Sequence, residues 1–69
     1  MSITREQFNN YLIKVGNRPF FIRHGQALVS ELYLMSPEIY KVVVDRVDPF
    51  CADDRIPAFL DEVSRYIEG

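Results

Sequence analysis

Ser36-Pro37-Glu38-Ile39-Tyr40-Lys41-Val42-Val43-Val44-Asp45-Arg46-Val47 is the stretch whose reading decides the fold class. Its middle, Val42-Val43-Val44, is β-branched and favours a strand in isolation. Its start favours a helix. Ser36 suits the cap, Pro37 the first turn where an N–H is not needed, and Glu38 the positive end of the helix dipole. Ile39, Val43 and Val47 share one helical face, with Tyr40 and Val44 beside it, and no partner strand is evident. The start signal is the more specific of the two, so the stretch reads as a helix over 37–47 and the chain as all-α.

The flanking segments agree. Phe8, Tyr11, Leu12 and Val15 fall on one stripe of a helix over about 4–15. Thr4 and Gln7 have the spacing of a capping box, and Gly16-Asn17 offers a stop that tolerates left-handed backbone. A second helix reads from Pro19 to Met35, with Phe21, Gly25, Leu28, Leu32 and Met35 on one face and Ile22, Val29 and Tyr33 on a strip beside it. The competing reading makes Pro19-Phe20-Phe21-Ile22 a short strand before a helix that begins after Gly25. Asp48-Pro49-Phe50 is a turn. A last helix covers about 54–68, capped by Asp53 or Asp54, with Ile56, Phe59, Leu60, Val63 and Ile67 on its apolar face. The expected architecture is a compact bundle of about four short helices in a single domain over 1–69. Its expected core is aromatic-rich: Phe8, Tyr11, Phe21, Phe50, Phe59 and Tyr66.

A chain of 69 residues buries little of its own surface, about 60% of what the unfolded form exposes. Domains of this size usually lean on disulfides, a metal or a partner subunit. Cys51 is the only cysteine, so no intramolecular disulfide forms; a lone thiol suits a reducing cytosol, and a small buried side chain is expected there. No secretory signal pattern is read in the opening residues, and no apolar run approaches the roughly 20 residues of a membrane span.

Charge is unevenly placed. Residues 1–25 hold Arg5, Lys14, Arg18 and Arg23 against Glu6, a net of +3, whereas residues 26–69 carry a net of −5. The acidic surplus is too small for a DNA mimic, and the mixture too even for a dedicated nucleic-acid binder. Those four cations are nonetheless the candidate contacts for an anion or a nucleic acid. A helix–turn–helix reading places Arg18 and Arg23 near the start of the second helix, but Phe20, Phe21 and Ile22 stand where a recognition helix shows polar groups to base edges.

No catalytic set can be assembled. Phe21-Ile22-Arg23-His24-Gly25-Gln26 looks like the Arg-His-Gly motif of the histidine phosphatase superfamily, whose histidine attacks a phosphoryl group. That chemistry needs further cationic donors and an acid for the leaving group. The superfamily adds a second histidine, a second arginine and a large parallel sheet, and His24 is the only histidine here. A zinc site is not expected from one histidine and one cysteine far apart. Asp53-Asp54 resembles a fragment of a calcium loop without its other ligands and reads better as helix capping. Asp61 and Glu62 are adjacent on a helix, so they point apart. With three glycines in the chain there is no phosphate loop. The expectation is no enzyme, no metal and no cofactor.

Pro19-Phe-Phe-Ile-Arg-His-Gly-Gln-Ala-Leu-Val-Ser-Glu-Leu, then Ser36-Pro37, Asp48-Pro49-Phe50 and Arg55-Ile56-Pro57-Ala-Phe-Leu resemble small uncharacterised proteins encoded by tailed bacteriophages. The resemblance covers roughly residues 18–62; Ser30 and Cys51 depart from its pattern, which has Asn and an aromatic at those places. It implies a phage product acting in a bacterial cytoplasm and carries no activity with it. The residues themselves point to protein binding. Tyr33, Leu34, Tyr40 and Val42 cannot all face one small core if both middle segments are helical, and surplus apolar surface of that kind marks partner sites; with Ile22 and Val29 they are the candidate partner-binding residues. The expected partner is a host protein or a second copy of the chain; nucleic acid is the alternative, and no membrane is expected.

Overall fold

Ser36 caps a helix: its Oγ accepts the Ile39 N–H at 3.3 Å, and Pro37 opens the first turn. The computed structural model describes residues 2–50 and 52–68, so the expected burial of Cys51 lies outside the described residues. Four helices appear in order, α1 (Arg5–Gly16), α2 (His24–Met35), α3 (Pro37–Arg46) and α4 (Ile56–Ser64), with a 3₁₀ turn at Asp53–Arg55 leading into α4. Residues 40–44 are therefore helical, and the fold is a small all-α bundle. No described helix is long and apolar enough to cross a membrane. The radius of gyration, 11.0 Å, is that of a compact globule of this length, about 11 Å.

α2 is the centre. It packs against α1 on one side and α3 on the other, and α4 closes against α3. Leu28 and Leu32 of α2, Ile39 and Val43 of α3, Val15 of α1, and Phe59 and Val63 of α4 are removed from solvent together. α1 begins with the expected box: Thr4 Oγ1 accepts the Gln7 N–H at 3.0 Å, and Gln7 Oε1 accepts the Thr4 N–H at 2.8 Å. Its end differs from expectation. No described residue takes a positive φ, and Asn17 simply donates its N–H back to Ile13 and Lys14.

Four further expectations need correction. The helix expected over 19–35 begins at His24, and residues 19–23 form neither helix nor strand. Ile22 donates its N–H to Pro19 O at 3.0 Å, closing a turn with Phe20 and Phe21 at its corners. Arg18 holds that turn by donating from Nε to Ile22 O and from Nη1 to Val15 O, both at 2.9 Å, so one guanidinium ties the end of α1 to the loop after it. The last helix, expected over 54–68, stops at Ser64. Its final turn tightens to i→i−3 bonds, and the chain then straightens so that Ile3 donates to Tyr66 O (2.9 Å) and accepts from Glu68 N–H (2.8 Å). This parallel bridge pairs Ile3 with Ile67 and buries Ile3. Third, Phe21 and Phe50 are exposed rather than in the core; Phe8 and Tyr66 pack against it, and Tyr11 and Phe59 lie in it. Neither Asp53 nor Asp54 caps: the turn they start has no side-chain cap, and Asp53 pairs with Arg23 at 3.6 Å instead.

One contact decides how the 47–52 segment crosses α2. A Cβ built on Gly25 would lie 2.0 Å from Pro49 O and 2.8 Å from Pro49 C. Only glycine leaves room for that carbonyl, and Pro49 is itself fully buried. Gly25→Ala is expected to lower stability by about 1–3 kcal/mol, because backbone rather than a flexible side chain must move. Gly16→Ala is the control: nothing lies within 4 Å of its Cβ position, and the gain expected from reduced unfolded-state entropy is about 0.4–1 kcal/mol. Urea denaturation of both variants checks the pair; equal effects would refute the role given to the Gly25 contact.

Candidate functional site

α2 and α3 join with only Ser36 between them, and Ser36 N–H is spent on Leu32 O at 2.8 Å. The tight corner splays their outer faces, and a groove of about 500 Å³ runs between them. Val29, Ser30, Tyr33 and Leu34 line it from α2, Tyr40 and Val44 from α3, and Asp48 and Phe50 from the segment that follows. The helical spacing explains the α2 wall: positions 30, 33 and 34 share a face turned away from Leu28 and Leu32. Val29 is buried, whereas Tyr33 is 53% and Leu34 75% exposed. Tyr33 and Tyr40 meet edge to face, ring centroids 5.1 Å apart at 80°, a preferred aromatic geometry that fixes both rings. Asp48 is the one charged residue in the lining. Its Oδ1 accepts the Phe50 N–H at 3.0 Å, which orients the carboxylate and positions the Phe50 ring after it. Among the described residues Asp48 makes no ion pair.

Of the six residues read as partner-binding, the groove unites Val29, Tyr33, Leu34 and Tyr40. Ile22 lines a separate hollow with Arg18, Pro19, Gln26 and Ala27. Val42 lies on the other flank of α3, roughly 160° from Tyr40 at about 100° per residue. Asp48 and Phe50 were not among the candidates. They lie beyond the end of α3, so no helical periodicity in the sequence links them to Tyr40.

The second feature is the 19–22 turn. Phe20 is 99% exposed and Phe21 70%, with the two rings edge to face at 5.8 Å. Each ring left in water forgoes about 1.5–3 kcal/mol available from burial. The cations around it have separate fates. Arg18 serves backbone carbonyls, Arg23 faces Asp53, and Arg5 and Lys14 are exposed on α1. His24 is exposed at the start of α2, after a turn and not a strand. Among the described residues no three His, Cys, Asp or Glu side chains gather as a metal-holding group.

A smaller hollow of about 230 Å³ is lined by Gln7, Asn10, Tyr11, Lys14, Glu31, Leu34 and Met35. Tyr11 is the chemically notable group there, but its hydroxyl is committed: it donates to Leu28 O at 2.7 Å from a buried position. Burial, and then the nearby Glu31 carboxylate, push the phenol well above its ordinary range. A phenol so resistant to ionisation is a structural donor, not a nucleophile or base. No protein-family model, curated protein or solved structure matches the chain.

The Tyr11 bond makes a signed pH prediction. At neutral pH, Tyr11→Phe is expected to cost about 1 kcal/mol, one hydrogen bond. Above pH 10.0, the ordinary tyrosine value, the unfolded chain releases this proton and the folded chain keeps it, so wild-type stability falls as pH rises. The loss reaches about 1.4 kcal/mol per pH unit and is absent in the variant. The two stability curves should therefore cross near about pH 11. Parallel curves in alkaline urea titrations would contradict the buried assignment.

Proposed function

We propose that this chain is a small, non-enzymatic protein-interaction module of phage type, acting in a bacterial cytoplasm. It binds a host protein or a second copy of itself through the groove between α2 and α3. The observation that carries the reading is the aromatic groove itself. Tyr33, Leu34 and Phe50 present exposed apolar surface around an oriented carboxylate, with Tyr40 half-buried against the core beside them. Exposed apolar surface rimmed by polar groups is what protein partners cover, and ring-lined pockets at the centre of an interface supply most of its binding energy. The phage reading is supported by the resemblance over roughly residues 18–62.

The alternative is a nucleic-acid-binding accessory protein that contacts phosphates through Arg5, Lys14, Arg18 and Arg23. It has less support, because the Arg18 fork is occupied by two carbonyls and Arg23 faces a carboxylate. Phosphate binding would have to displace these or rely on two cations on α1.

Leu34→Glu separates the readings. Leu34 is exposed, so the change should shift stability by no more than about 0.5 kcal/mol. Association with protein, read both as self-association by light scattering and as a stoichiometric host protein on immobilised chain, should fall at least tenfold. Association indifferent to Leu34, or none of either kind, would sink the groove reading. Salt-sensitive binding of DNA or RNA that survives Leu34→Glu would favour the alternative.

A further inference from the structure

We propose that the occupant of the groove is a second copy of this chain, which inserts its Phe20–Phe21 turn. The inference rests on the reading of the groove as a protein interface and adds the partner's identity. The turn is a ready-made knob. Its two rings are already edge to face, and the closing bond from Ile22 N–H to Pro19 O and the Arg18 fork hold the backbone behind them. Little ordering is left to do on docking. The groove has matching chemistry: an aromatic and aliphatic lining and a volume of about 500 Å³.

Charge matches as well. The guanidinium of Arg18 stands behind the knob, Arg23 beside it being paired with Asp53, and Asp48, without an ion pair among the described residues, lies in the groove lining. Opposite surfaces of this kind steer and orient an encounter. The knob does not fill its own groove. Phe20 is 99% and Phe21 70% exposed, so neither ring is seated in it. Both rings are free to dock on another molecule. The proposed exchange is reciprocal about a two-fold axis, which closes the assembly at a pair, whereas a one-way contact would propagate into larger assemblies.

Light scattering on the full chain from micromolar to millimolar concentration tests this. The expected result is a mass rising from that of the 8.1 kDa chain to twice that value, with affinity falling as salt is raised. Phe20→Ser/Phe21→Ser removes the knob and Leu34→Glu spoils the groove, and each should weaken pairing at least tenfold. Neither should alter the circular dichroism or the thermal midpoint by more than a small amount, since the altered side chains are exposed. The decisive arm mixes the two variants. A knobless copy still has a groove and a groove-spoiled copy still has a knob, so the mixture should form a one-to-one pair tighter than either variant forms with itself. A monomer at every concentration overturns the proposal. So does a dimer that ignores both substitutions, or a mixture that pairs no better than its components. If the wild type is monomeric yet a host protein is captured in a Leu34-dependent way, the self-pairing fails and the groove reading stands.

Discussion

The carbonyl of Pro49 occupies the place where any residue but glycine would carry a Cβ at position 25, and most of this fold follows from that approach. It lets the segment after α3 cross directly over the first turn of α2 with Pro49 out of solvent. From there the 3₁₀ turn and α4 begin at a fixed place. α4 can then deliver Phe59 and Val63 to the Leu28, Leu32, Ile39 and Val43 that α2 and α3 have already brought together. The same course carries the chain's tail back to Ile3, where two backbone hydrogen bonds close the molecule on itself. The Arg23–Asp53 pair spans the same junction, but both side chains are mostly exposed, so it adds little to what the backbone contact enforces.

The parts of the fold legible in the sequence are those fixed locally. Ser36-Pro37 and Thr4…Gln7 are capping chemistry that works within one turn, and the Phe59/Val63 spacing needs only its own helix. The misread parts were fixed from a distance. Pro19 was a sound helix start until Arg18, an ordinary surface cation in the sequence, bound two carbonyls that only the folded loop brings within its reach. Residues 65–68 had the right period for helix, but their backbone groups were claimed by Ile3 at the opposite end of the chain. Tertiary partners outbid local propensity at both places.

The candidate site divides along the same line. Tyr33, Leu34 and Tyr40 were accessible to reasoning because two adjoining helices had more apolar residues than one core could take. Ile22 joins them in the sequence only if α2 extends backward through what is a turn, and Val42 only if the flank of α3 is ignored. Phe50 reads as core in the sequence because it is aromatic. Its ring is exposed instead, in a turn where the Phe50 N–H donates to the Asp48 carboxylate. Aromaticity alone does not say whether a ring closes a core or opens a surface.

The exposed rings are not residues that a small chain failed to bury. Among the described residues no buried side-chain nitrogen or oxygen lacks a hydrogen-bond partner, and the central side chains of all four helices are sealed from water. Phe20, Phe21, Leu34 and Phe50 lie outside the buried cluster, and the first three are between 70% and 99% exposed. Their exposure brings no gain in folding and carries a cost in solubility. Phe20 and Phe21 on the turn and Tyr33, Leu34 and Phe50 in the groove are the apolar surface that the proposed association would cover.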